Sequence, residues 1–334
     1  MIQKNSILII GGSGFIGTRL VRRLLSKEER YIQIFDKAPS KAFPDLVTLG
    51  DVRSVDQLQA SISERTVIIN LAAEHRDDVR PLSLYDEVNV EGAKNICAAA
   101  RGNNVKTILF TSTVAVYGFA PLGTDESGKI APFNDYGRTK YEAEQIFKDW
   151  QSESPAERTL VIIRPTVVFG EQNRGNVYNL LRQIASGKFV MIGNGENRKS
   201  MAYVENVAAF IEYSINFNPG VHIFNFIDKP DFTMNQLVGS VKRILGKSVK
   251  ISFRIPFALG YAIGKGFDWI ATISGKRLAI SSIRVRKFCA NSVYNTAIDS
   301  TGFISPVSLS KALEQTIHHE FIEKHDDEPL YFSE

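Results

Sequence analysis

Cysteine is scarce in this chain: Cys97 and Cys289 are the only two among 334 residues, and they stand far apart. That excludes the disulfide framework of a small secreted domain and fits a reduced, cytoplasmic protein. No apolar run reaches the roughly 18 residues of a membrane-spanning helix. The N-terminal apolar stretch is too short for a signal peptide and runs straight into glycines. Excess charge is also lacking. A net charge of +4, with no basic stretch interleaved with aromatics, gives no sign of a nucleic-acid partner. The histidines show no metal-ligand spacing with carboxylates or cysteines, so no metal is assigned. Neither an internal repeat nor a low-complexity segment is present. The composition, 44% hydrophobic, suffices for one large core or two ordinary domains of a soluble enzyme.

What the chain does have begins at its start. The apolar run Ser6 to Ile10 leads into Gly11-Gly12-Ser13-Gly14-Phe15-Ile16-Gly17, and then into a helical pattern through Leu20, Val21, Leu24 and Leu25. Glycines suit a tight turn that lets backbone approach a pyrophosphate, which then meets the positive end of the helix. A second strand, Tyr31 to Phe35, ends on Asp36 about 20 residues on, where a dinucleotide fold places the carboxylate that binds ribose hydroxyls. That carboxylate would repel a 2′-phosphate, so NAD is favoured over NADP, with Lys37 next door weakening the preference. After a third strand, Leu46 to Leu49, Asp51 suits an adenine contact or the N-cap of a helix from Val55 to Ile62.

Further strands, Val67 to Leu71, Thr107 to Thr111 and Leu160 to Ile163, alternate with helical segments. This predicts an α/β fold, a Rossmann-type doubly wound parallel sheet, with ligands at the carboxyl ends of the strands. The strict alternation stops after Gly170. Residues 1–170 are expected to form the NAD-binding domain, with a returning segment at about 201–228 that includes a strand His222 to Phe226. Residues 171–200 and 229–334 form a smaller α/β substrate domain, and the polar end, His325 to Glu334, is expected to fray.

Tyr136 and Lys140 are one helical turn apart, so phenol and ammonium share a face. A nearby positive charge favours the phenolate and would make the tyrosine a usable base. Thr113 offers a hydroxyl to the same substrate proton.

The order Gly11 to Gly17, Asp36, Gly50-Asp51, Leu71-Ala72-Ala73, Asn89-Val90-Glu91-Gly92, Thr113 with Val116-Tyr117-Gly118, Tyr136 to Lys140, and Arg164-Pro165 resembles the extended short-chain dehydrogenases/reductases that modify nucleotide sugars. The resemblance spans essentially the whole chain. It implies Tyr136 as base, Lys140 on the nicotinamide ribose, and Thr113 on the reacting hydroxyl. It also implies cofactor contacts from Gly11, Ser13, Gly14, Phe15, Ile16, Gly17, Asp36, Lys37, Asp51, Val52, Leu71, Ala72, Ala73, Asn89, Pro165 and Val168, and a homodimer. Tyr117 reads as packing. Sugar dehydratases of this family resemble one another in an Asp-Glu pair after the catalytic threonine, where this chain has Val114 and Ala115. Elimination of water needs that extra acid and base, so simple redox at one carbinol remains.

The segments Leu71 to Val79, Arg174 to Leu181, Lys199 to Val204 and Val285 to Ala290 further resemble bacterial 4-epimerases acting on N-acetylglucosaminyl-diphospho-undecaprenol, which make lipid-linked N-acetylgalactosamine for O-antigen assembly. That resemblance implies an NAD-dependent epimerase at the inner face of the cytoplasmic membrane, with Arg76, Arg174, Asn176, Lys199 and Arg284 toward the substrate. A UDP-N-acetylhexosamine 4-epimerase or a 4-keto-sugar reductase is the alternative. From Arg254 to Lys287, aromatics and cations mix and Asp268 is the only acid. Such a segment suits anionic headgroups, or else the apolar residues belong to a core with a basic solvated face.

Overall fold

Strand-forming runs alternating with amphipathic helices assemble into a seven-stranded, wholly parallel sheet. The structure is a computed structural model that describes residues 6–27, 31–62, 66–76, 79–250, 253–274, 281–325 and 327–332. Its strands are β1 (Ser6–Ile10), β2 (Tyr31–Asp36), β3 (Val47–Leu49), β4 (Thr66–Asn70), β5 (Thr107–Thr111), β6 (Thr159–Pro165) and, after the small strands β7 (Val167–Phe169), β8 (Met191–Ile192) and β9 (Arg198–Tyr203), β10 (Gly220–Phe226). Spatial order is β3-β2-β1-β4-β5-β6-β10, so the chain reverses direction between β1 and β4. A crevice at the carboxyl ends of those strands is where such a sheet takes a ligand.

Both faces of the sheet are covered because successive strand residues point to opposite sides. Ile7 and Ile9 pack with Leu20, Val21 and Leu24 of α1 (Phe15–Leu25). Leu8 and Ile10 share the other face with Leu58 of α2 (Val55–Ser61). A short α3 (Ser83–Tyr85) runs through a π-helical stretch, Asp86–Glu91, into α4 (Gly92–Gly102), which covers that same face with α5 (Asp135–Ser152). The helix after β3 is capped by Ser54, whose side chain accepts from Gln57 N, rather than by Asp51.

Beyond β7, α6 (Asn176–Ala185) precedes β9, and α7 (Val204–Ser214) returns to pack on α1's face of the sheet. β11 (Asp228–Thr233) pairs antiparallel with β9, which pairs parallel with β7. β12 (Arg254–Ile255) pairs with β8. α6, α8 (Met234–Ile244) and α11 (Leu309–Phe321) close a second core through Leu181, Leu237, Val238, Leu313 and Ile317. Ile298 and Phe303 go back to the sheet's core.

One expectation changes, and one of two open alternatives gives way. Part of the C-terminal tail is docked where fraying was expected: Tyr331 N donates to Gln172 O at 2.9 Å, and Tyr331 O accepts from Arg174 N at 2.8 Å. The apolar residues of α9 (Phe257–Ser274) are largely not core. Trp269 is 69% and Ile273 67% exposed, while the helix turns Gly260 and Gly264 inward against Ile192 and Ser282. Asp268 also faces in, accepting from Ser282 N and Oγ at the start of α10 (Ser282–Cys289). Small and acidic residues inside with large apolar ones outside reverse the usual pattern of a surface helix.

Candidate active site

The crevice is a cleft of about 890 Å³ running from the glycine turn to α10. Its floor demands glycine. Gly11 has φ +79°, and a Cβ there would lie 2.6 Å from Ala72 N; a Cβ on Gly17 would lie 2.5 Å from the Cα of Gly12. α1 starts with no side-chain cap and no acid in its first turn, leaving its positive end for an anion. Asp36 Oδ2 accepts from Ser13 N and Oδ1 from Ala38 N, both at 3.0 Å. Each oxygen keeps a lone pair, so the carboxylate is fixed yet able to accept from a ribose hydroxyl. Lys37 leans toward Glu74 at 3.8 Å. Asp51 hydrogen-bonds to Arg53, which holds its carboxyl below the usual range.

Of the residues expected at the cofactor, all but Ser13 and Asn89 line the cleft. Ser13 acts through its amide on Asp36. Asn89, buried in the π-helical stretch, bonds Glu74 N and O and Thr139 Oγ1, so it supports the cleft wall from behind and ties it to α5.

Thr113 Oγ1 accepts from Ala115 N at 3.1 Å, capping the 3₁₀ turn Val114–Tyr117 that follows β5. This fixes its hydroxyl toward the Tyr136 phenol, to which it hydrogen-bonds. Tyr136 stands in the first turn of α5, whose cap, Asn134, accepts from Gly137 N at 3.0 Å. Lys140, one turn on and 2% exposed, lies with Nζ 4.2 Å from the centre of the Phe110 ring. Burial pushes the phenol up to about 12, against the pull of its bond to Thr113. Burial likewise brings Lys140 down to about 7, against Glu144, which favours the charged form. The lysine charge was expected to favour phenolate; in this cleft burial is the largest influence on the phenol and favours its protonated form.

Beneath this pair lies a clamp that spacing did not reveal. Arg164 on β6 forks onto Glu144 at 2.8 and 2.6 Å and donates to Tyr117 Oη at 2.6 Å. Ser112 Oγ donates to Glu144 at 2.5 Å, and Tyr117 Oη donates to Asn225 Oδ1 on β10 at 2.8 Å. Tyr117 is therefore packing and scaffold, as its sequence context indicated. Glu144 follows Tyr136 and Lys140 at the same four-residue interval, the one signal of its place beneath them.

Of the five expected substrate residues, Asn176 and Lys199 line the cleft. Lys199 Nζ donates to Lys287 O at 2.9 Å and Ala290 O at 2.6 Å, carbonyls at the C-terminal end of α10. Arg174 pairs with Glu320 at 2.8 Å and lies over Tyr178, outside the lining, as do Arg76 and Arg284. Lys287, one turn beyond Arg284, lines the cleft instead, 4.8 Å from the Phe133 ring centre. Phe133 stacks on Phe119, over which Arg286 lies at 5.1 Å. Among the described residues, His319, His325 and Glu328 form the one cluster with metal-ligand chemistry, unforeseen from spacing, and its groups already bond to one another and to Gln172.

The stretch that holds the glycine turn, Asp36, Thr113, Tyr136 and Lys140 lies within residues 7–225, which match the NAD dependent epimerase/dehydratase family. The chain belongs to that family. It is similar, at 46% identity over 99% of its length and 100% of the relative's, to N-acetyl-alpha-D-glucosaminyl-diphospho-ditrans,octacis-undecaprenol 4-epimerase of Escherichia coli O157:H7. UDP-glucose 4-epimerase of Vibrio cholerae is 27% identical over 93% of this chain and 94% of that one. A solved UDP-glucuronic acid 4-epimerase from Bacillus cereus, in complex with NAD, superposes with a TM-score of 0.73 at 18% identity, covering 94% and 98% of the two chains, and so shares the fold. NAD is this family's cofactor, and the glycine turn and Asp36 fit it. This member is an NAD-dependent enzyme.

Proposed function

We propose that the enzyme interconverts N-acetylglucosamine and N-acetylgalactosamine at C4 while the sugar stays on undecaprenyl diphosphate, working at the inner face of the cytoplasmic membrane. Thr113 hydrogen-bonds the C4 hydroxyl, and Tyr136 in its phenolate form takes the hydroxyl proton, returning it after the sugar has turned its other face to the cofactor. NAD, when bound, supplies the hydride acceptor and gives the hydride back. Lys140 orients the cofactor's ribose and offsets charge on the phenolate. Val114 and Ala115 move no protons, so the 4-keto sugar goes back to an alcohol without loss of water.

Support for the lipid carrier comes from the 46% relative's name and, above all, from α9. No helix among the described residues is long and apolar enough to cross a membrane. α9 instead offers Leu259, Ile263, Trp269, Ile270 and Ile273 to its surroundings, beside the exposed cations Lys265, Arg284 and Arg286. Burying each large apolar side chain in lipid yields about 1.5–3 kcal/mol, and cations add attraction to anionic headgroups. α10 joins this face to the cleft, and its Lys287, which lines that cleft, supports a cationic contact to a diphosphate. In co-sedimentation with phosphatidylglycerol vesicles, Trp269→Ser/Ile273→Ser is expected to bind at least ~10-fold more weakly than wild type. Both side chains are exposed, so the fold should be unaffected. Equal sedimentation of the two proteins would remove α9 from the account.

A further inference from the structure

The docked tail is not used by the chemistry above, yet Leu330, Tyr331 and Phe332 line the same cleft as the glycine turn. We propose that residues 328–332 are a strap belonging to the dinucleotide site, in which Tyr331, seated beside Phe15, and Phe332 close the cleft over NAD and slow its release.

Three observations carry this. First, the Tyr331 ring lies 6.0 Å from that of Phe15, the residue that begins α1 straight after the glycine turn. Tyr331 is bonded through both backbone groups to Gln172 and Arg174, so its position is set by main chain rather than by ring contact alone.

Second, the strap is anchored to α11 and, through Gln172, to α1 of the cofactor half. Glu328 accepts from Gln172 Nε2 at 2.6 Å and meets His319 Nε2 at 2.8 Å and His325 Nδ1 at 3.2 Å. Gln172 Oε1 in turn accepts from Arg19 of α1 at 3.2 Å, and Gln172 N donates to Glu320 of α11 at 2.6 Å. Gln172 holds φ +69°, a left-handed conformation that a non-glycine residue keeps only where its surroundings over-determine it.

Third, the strap's free side chains are apolar in an otherwise polar tail. Phe332 is 69% exposed at the cleft. Covering such surface with a ligand is favourable, and covering the ligand hinders its exit. An enzyme that regenerates its NAD within each turnover gains from slow exchange. The inference rests on the family's cofactor and not on the sugar or its carrier.

Exchange of bound NAD for labelled NAD, measured without sugar, tests it. Tyr331→Ala keeps the backbone bonds and is expected to exchange at least ten times faster than wild type and to be isolated with less NAD. A chain ending at Glu328 should do the same or more. If the shortened chain fails to fold, Tyr331→Ala alone decides. Exchange at the wild-type rate in a folded Tyr331→Ala protein overturns the proposal, as does wild-type protein that exchanges NAD as fast as the variant. Because no sugar is present, an error about the lipid-linked substrate leaves this result untouched.

Discussion

Replacing Tyr136 by Phe is expected to lower kcat by on the order of 10²- to 10⁴-fold, the usual contribution of a positioned acid-base group, with thermal stability and NAD content unchanged. The hydroxyl is the only atom lost, and its bond is to Thr113. KM should change little, because a group that acts on the proton in flight contributes to the transition state rather than to sugar binding. The phenol is held up to about 12 by burial, so its phenolate is scarce at neutral pH. Wild-type kcat/KM should therefore rise with pH up to about 7 and level off above it, where Lys140 gives up the charge that offsets the phenolate, and the variant's residual rate should lose that dependence. A variant retaining more than about a tenth of wild-type kcat would remove Tyr136 from the chemistry.

Arg164→Met is expected to cost about 3–5 kcal/mol of stability, the penalty for leaving one member of a buried pair without its partner. Glu144 is fully buried and would keep, among the described hydrogen bonds, the one from Ser112. Four elements meet at this guanidinium and its partners: β6 through Arg164, α5 through Glu144, the turn after Thr113 through Tyr117, and β10 through Asn225. Loss of the clamp should thus lower the melting temperature by roughly 10 °C. It should also loosen the turn of α5 that carries Tyr136. Arg164→Met/Glu144→Leu removes both charges and is expected to recover much of the loss, since hydrophobic replacement of a whole buried pair is often neutral. Equal melting of the wild type and Arg164→Met, followed by calorimetry, would show that the clamp carries no such load.

The sheet and the chemistry were legible because each is written locally. Apolar runs of four or five residues gave the strands, the Gly11 to Gly17 turn with Asp36 gave the dinucleotide end, and a one-turn interval put Tyr136 beside Lys140. Long-range polar contacts were not legible. Glu144 and Arg164 are charged residues twenty positions apart, and nothing in either segment says that both lie at the protein's centre. Which substrate-side cation lines the cleft was hidden for a different reason. In an eight-residue helix the choice between Arg284 and Lys287 depends on rotational phase, which packing against α9 decides. α9 itself reads as an ordinary apolar helix until Gly260 and Gly264 are seen to face inward. The tail's polarity masked the three apolar residues that return to the cleft.

The central claim is tested most directly by giving purified enzyme, with no added cofactor, either undecaprenyl-diphospho-N-acetylglucosamine in phosphatidylglycerol vesicles or UDP-N-acetylglucosamine. Release and analysis of the sugar then reveal any C4 epimer. Formation of N-acetylgalactosamine from the lipid-linked sugar, with little or none from the UDP-sugar, is the predicted result. Conversion of the UDP-sugar alone, or turnover only when a reduced nicotinamide and a 4-keto sugar are supplied, would contradict it.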